Sequence, residues 1–146
     1  MGGDDRAALP RAAAMHTYTA EFVSRLTTRS RLPLDYSVAS LRLVDLVVDG
    51  LRRNQQQRAQ VAGTLLGLGA YAGEVIVRRA GATWVDFDAS QHELFRQHVG
   101  IRMPDGRVWN PLGKVVNRFE AGTDESVQRF YFLLHGRLPA ESTVCL

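Results

Sequence analysis

From Val61 to Val77 the chain reads V-A-G-T-L-L-G-L-G-A-Y-A-G-E-V-I-V, seventeen residues with a single charge, Glu74, bounded by Arg58 before it and Arg78 and Arg79 after it. A segment this apolar belongs either at the centre of a small domain or in a membrane. It falls short of the roughly 20 apolar residues a spanning helix needs, and it carries a carboxylate and four glycines, Gly63, Gly67, Gly69 and Gly73. The pattern therefore predicts a buried soluble helix ending near Gly81, a residue suited to a left-handed cap. On a wheel of about 100° per residue, Val61, Leu65, Leu68, Ala72, Val75 and Ile76 form one apolar face. Gly63, Gly67, Tyr71, Glu74 and Arg78 collect on the other side, where small residues would admit another backbone.

The flanking segments follow the same logic. Met15, Tyr18, Phe22 and Leu26 recur at helical spacing, predicting a helix that starts with Pro10 in its first turn and runs to about Thr28, with Pro33 blocking continuation. Ser37 can cap a second helix to about Arg53. There Leu41, Val44, Val47, Val48 and Leu51 share one face, and Arg42, Asp45, Asp49, Arg52 and Arg53 are expected on the wet one. T-W-V-D-F-D, Thr83 to Asp88, alternates as a strand, and a loop is expected to follow. Val99–Met103 and Val108–Asn110 flank Pro104-Asp105-Gly106, a hairpin signal. Asn110-Pro111 breaks the strand, Lys114–Glu120 reads as a short helix stopped by Gly122, and Asp124 can cap a last helix with Val127, Phe130, Tyr131 and Leu134 as its stripe, closed by Gly136. The expected architecture is α+β: a three-helix bundle on a small, mostly antiparallel sheet, closed by a C-terminal helix. One domain spans residues 9–136, between a disordered start (1–8) and a flexible tail (137–146).

Composition changes this picture little. At 146 residues, with 45% hydrophobic and 23% charged residues, the chain can bury a core without disulfides or metals. Residues 1–30 hold Asp4, Asp5, Arg11, Glu21 and Arg25 where a secretory signal would need an unbroken apolar run, and the one cysteine, Cys145, cannot build a disulfide framework. Both features predict a cytoplasmic protein. Arginine supplies 17 of the 18 basic residues, and the excess of +3 lies in the first 60 positions. A nucleic-acid surface through Arg52, Arg53, Arg58, Arg78 and Arg79 would want aromatics among the cations. Around the first three there is only Gln55-Gln56-Gln57, so a solvated face is the favoured reading.

Candidate chemistry is sparse. Glu74, a carboxylate inside an apolar helix, must find a partner or shift its pKa upward. Catalysis would use it as an acid or base, whereas a structural role would pair it with Arg78 one turn on. Asp86 and Asp88 share one strand face near Glu93 and are the nearest approach to a hard-cation site, although a strand entering a wet loop carries carboxylates anyway. His16, His92, His98 and His135 lack zinc spacing. G-T-L-L-G-L-G lacks the ending and the preceding strand of a phosphate loop. No metal or cofactor is expected.

Four stretches, L-D-Y-S-V-A-S-L (Leu34–Leu41), G-A-Y-A-G-E-V-I (Gly69–Ile76), G-A-T-W (Gly81–Trp84) and D-G-R-V-W-N-P-L-G-K-V (Asp105–Val115), together resemble a group of uncharacterised small bacterial proteins with a domain of unknown function, over about residues 32–135. The resemblance implies a one-domain α+β fold and supplies no activity or cofactor. The chain therefore reads as a non-catalytic protein-interaction module, adaptor or immunity-like, binding another protein or a second copy of itself as a homodimer. A weak nucleic-acid binder using the five arginines is the alternative, and a hydrolase-like enzyme using Glu74 or Asp86 and Asp88 comes third.

Overall fold

A computed structural model describes residues 9–54, 57–122 and 126–135. Six α-helices and three short strands follow in the order α1 (Met15–Ser30), α2 (Leu41–Arg53), α3 (Arg58–Ala80), β1 (Thr83–Asp86), α4 (Ala89–Phe95), β2 (Val99–Arg102), β3 (Val108–Trp109), α5 (Pro111–Ala121) and α6 (Val127–His135). The fold is α+β, as the periodicity predicts. The strands form an antiparallel sheet in the order β1-β2-β3, with Trp84 opposite Ile101 and Ile101 opposite Trp109. The predicted hairpin joins β2 to β3, and Gly106 supplies its positive φ of 94°.

The apolar segment is the axis of the molecule. Residues Gln60–Ala80 are long and apolar enough to cross a membrane, yet 72% of that apolar window is buried inside the protein itself. Helices α1, α2, α5 and α6 and the sheet all pack on α3, α5 most extensively. Leu68, Tyr71 and Val75 are wholly enclosed. The helix ends where expected, on Gly81 in the left-handed region at φ 76°.

Glycines on α3 admit close neighbours, but not on the side expected. At Gly69 a Cβ would lie 2.7 Å from the Leu112 Cα, so it is here that the α5 backbone comes closest. One turn on and on the same side, the Trp84 ring occupies the space a Cβ would need at Gly73, and on the opposite side the Phe22 ring does so at Gly67. At Gly63 a Cβ would meet nothing within 4 Å.

Several element boundaries move. Helix α1 begins at Met15 after a 3-10 turn, Ala12–Ala14, so Pro10 lies ahead of the helix rather than in its first turn. Ser37 does cap, accepting from Ser40 N at 3.1 Å, but through a 3-10 turn, Val38–Ser40, that leads into α2. The strand stops at Asp86, and the loop expected after it is the helix α4. There Asp88 and Gln91 form a reciprocal capping box, the Asp-x-x-Gln pattern that opens helices. Asn110-Pro111 ends the strand and also starts α5, with Asn110 as cap and Pro111 in the first turn. Gly122 follows α5 as its cap, at φ 97°. The expected disordered start and tail, and the Asp124 and Gly136 signals, lie outside the described residues.

Candidate functional site

Glu74 sits on α3 with a side chain 1% exposed. Its Oε1 accepts from the Trp84 indole N–H at 2.9 Å, and its Oε2 accepts from His16 Nδ1 at 2.7 Å and from Arg78 Nε at 3.1 Å. An ionised carboxylate only accepts, so Nδ1 of His16 carries the proton. Burial pushes the Glu74 carboxyl up. The hydrogen bonds from Trp84, His16 and Arg78 outweigh it, leaving the group below the ordinary carboxylate range. The expected pairing with Arg78 is present, joined by two partners that hydrophobic periodicity does not reveal.

Above this carboxylate the surface is polar. His16 and Arg78 have side chains 63% and 48% exposed. The Arg78 guanidinium lies 3.7 Å over the Tyr36 ring. Tyr36 itself has φ 65°, left-handed and unusual for a side chain of its size. Its backbone is held on both sides: its N–H donates to the Tyr71 hydroxyl at 2.8 Å, and its carbonyl accepts from Arg79 Nε at 2.9 Å. Because Ser40 donates its own proton to Ser37 O, Tyr71 must donate to Ser40 Oγ. Burial raises the Tyr71 phenol and Tyr36 with it. Residues of Leu34–Leu41, Gly69–Ile76, Gly81–Trp84 and Asp105–Val115 meet here and alongside: Tyr71 joins Tyr36 and Ser40, Glu74 joins Trp84, and Pro111 and Leu112 lie against Gly73 and Gly69.

Asp45 overturns its assignment to the wet face. It is buried, and its carboxylate accepts from Arg118 Nε (3.1 Å), Ser126 Oγ (3.0 Å) and the backbone N–H of Val127 (2.8 Å). Asp49 takes the other end of Arg118, at 2.8 Å from Nη2. The physical reason lies in the wheel. Asp45 is four residues from Leu41, hence only about 40° round from it. That puts it at the border of the apolar arc, where α5 and α6 reach over it. One side chain of α2 thus pairs with a buried guanidinium and caps α6.

The other candidates are dispersed. Asp86 Oδ1 accepts from Ala12 N at 2.8 Å and Asp88 Oδ1 from Gln91 N at 2.8 Å, so each serves a backbone N–H. Among the described residues no three His, Cys, Asp or Glu side chains converge as a metal site would require. Arg52 and Arg53 end α2, Arg58 opens α3, and Arg78 and Arg79 close it. Twenty residues of helix separate Arg58 from Arg78, about 30 Å of rise, so the five arginines do not share one patch.

Among the described residues, the surface concavities include a smaller and a larger one. The smaller, of about 150 Å³, lies where α5 starts, between Phe95, Trp109, Lys114 and Phe130. The larger, of about 310 Å³, follows the seam of α1 and α3 and is lined by Tyr18, Phe22, Arg25, Leu26, Arg29, Gly63 and Thr64. Burial raises the Tyr18 phenol there, against the opposing charge of Arg25. Sequence reasoning placed Tyr18, Phe22 and Leu26 in the core stripe of α1. Their spacing carries no signal for a cleft, because that Gly63 faces this stripe is set by how α1 packs on α3.

Comparison with models of known protein families, with curated proteins and with solved structures gives no match in any of the three.

Proposed function

We propose that this chain is a non-catalytic interaction module, adaptor or immunity-like, whose ligand is another protein. The observation that carries the reading is the α1–α3 cleft. Its volume of about 310 Å³ gives room for a large side chain of a partner to enter between the two helices. Phe22 is buried beside it, Tyr18 and Leu26 are half-buried, and Arg25 and Arg29 are exposed, a mix of apolar and charged groups that protein interfaces use. The polar chemistry elsewhere supports the same choice. Glu74, the one deeply enclosed carboxylate of α3, already accepts from three donors and is held ionised. That suits a structural anchor rather than an acid or base that must exchange a proton.

The nucleic-acid alternative gains no comparable support, because Arg52 and Arg53 end α2 while Arg58 stands at the opposite end of α3 from Arg78 and Arg79. The test is a selection of peptide binders by the full chain from a library of random 16-residue helices, with affinities measured by calorimetry. Selected peptides with micromolar or tighter affinity are expected. Failure to select any, with tight binding of a 20-base-pair duplex that weakens steeply between 50 and 200 mM salt, would replace this reading with the nucleic-acid one. Concentration-dependent sedimentation as a dimer through the same cleft would make the partner a second copy.

A further inference from the structure

We propose that the α1–α3 cleft takes an acidic amphipathic helix of a partner protein, with one large apolar side chain over Gly63 against Phe22 and Leu26, and two carboxylates one turn apart on Arg25 and Arg29. The inference rests on the interaction-module reading and names the chemistry of its ligand.

The geometry begins with the two helices. Contacts between His16 and Glu74 and between Phe22 and Gly67 show that α1 runs antiparallel to α3. At Gly67 the seam is shut by the Phe22 ring. One turn further along, Gly63 has no side chain and open space beside it, and the seam parts into the cleft. Tyr18, Phe22, Arg25, Leu26 and Arg29 follow one another at helical spacing, so they form one stripe along α1. Apolar side chains and cations therefore run side by side down the same wall.

Charge selects the occupant. Arg25 and Arg29 are exposed, and neither pairs with a carboxylate among the described residues. They stand one turn apart, about 6 Å along the axis, which matches carboxylates at i and i+4 on a facing helix. A guanidinium takes a carboxylate in a two-pronged hydrogen bond that a neutral group cannot reproduce. Helix α1 carries Arg25 and Arg29 against the single acid Glu21, an excess of positive charge that favours an acidic ligand.

Gly63 provides the separating variant. Because a Cβ there meets nothing within 4 Å, Gly63→Leu starts its side chain into the open cleft and replaces a poor helix former. Its melting temperature should hold or rise. The peptide most enriched in the selection above is then measured against the wild type, Gly63→Leu and the reversed pair Arg25→Glu/Arg29→Glu. The proposal expects Asp or Glu one turn apart in that peptide. It also expects at least a tenfold loss of affinity in both variants, and a similar loss when the peptide's carboxylates become amides. Selected peptides that are basic, or that bind all three proteins alike, overturn the cleft assignment and leave the interaction-module reading standing. An absence of any selected peptide removes both. Binding of the free chain to vesicles of 30% phosphatidylserine in phosphatidylcholine, abolished by Arg25→Glu/Arg29→Glu with no peptide response, overturns it in favour of an anionic membrane surface.

Discussion

Glu74 and Asp45 are both buried carboxylates, and their partners decide how much each stabilises the fold. Of the three donors to Glu74, the Trp84 indole is buried with it, whereas Arg78 is half in water. An i,i+4 pair exposed to that degree contributes about 0.3–0.5 kcal/mol. Leaving a buried acceptor without its donor costs about 1–3 kcal/mol. Trp84 should therefore couple to Glu74 more strongly than Arg78 does. Glu74→Gln is expected to lower stability by about 1–3 kcal/mol, and a double-mutant cycle in urea should give a larger interaction energy with Trp84→Phe than with Arg78→Ala. An unchanged or higher stability in Glu74→Gln would instead mark a site holding stored strain, as catalytic sites do. Asp45 faces an arginine that is only 3% exposed. Asp49 shares that guanidinium, so either single substitution leaves Arg118 one carboxylate. Asp45→Ala should still destabilise more than Asp49→Ala, because it also takes the acceptor from Ser126 Oγ and from the buried Val127 N–H, a loss of about 1–3 kcal/mol for a buried group left unsatisfied, and denaturant titration of the two variants checks the order.

Helix α3 shows how one sequence feature yields opposite consequences along a single element. Glycine in a helix interior is less favourable than alanine by about 0.5–1 kcal/mol. At Gly63 nothing opposes the added methyl, so Gly63→Ala should stabilise by about that amount. At Gly67 the methyl would meet the buried Phe22 ring, and overpacking of this kind costs about 1–3 kcal/mol. Gly67→Ala should therefore destabilise, and thermal melts of the pair test the contrast directly. Wheel reasoning grouped the two glycines on one face and could go no further, because what lies opposite each is set by α1, remote in sequence. The same limit explains where the fold was legible. Helices α1, α2, α3 and α6, the hairpin and the Gly81 and Gly122 stops follow from local periodicity and φ preferences. The α4 helix had a local signal as well, Asp88-x-x-Gln91, overshadowed by the alternation before it. Asp45 was not legible: its neighbours Arg118, Ser126 and Val127 lie over 70 residues away, and a border position on the wheel is resolved only by packing. His16 meets Glu74 across 58 residues for the same non-local reason, and Trp84, ten residues on, does so only because β1 folds back against α3.

Across the whole molecule, Glu74 ties three elements together, α1 through His16, α3 through Arg78 and β1 through Trp84. Its protonation is therefore a global event. The ordinary value of the group is 4.5, and folding lowers it, since the three hydrogen bonds overcome the effect of burial. A group whose folded pKa lies below its unfolded one binds fewer protons when folded, so its contribution to stability rises with pH. That contribution is complete above the unfolded value and is lost as pH falls through the folded one. The melting temperature should accordingly decline once pH passes below about 4.5, the unfolded value, and continue down to the lower folded pKa. Asp35 and Asp105 add shifts of the same sign, from hydrogen bonds to Ser37 and to Arg107, but both are on the surface, where salt and water weaken such effects. Glu74 is enclosed, so its share should persist at high salt. Melts of wild type and Glu74→Gln from pH 7 to pH 3, in 0.05 and 0.5 M salt, separate the two sources. The variant should start lower and show a shallower acid decline, with the wild-type and variant curves converging toward pH 3 at either salt. Parallel curves across that range would show that Glu74 is not the group whose titration loosens the fold.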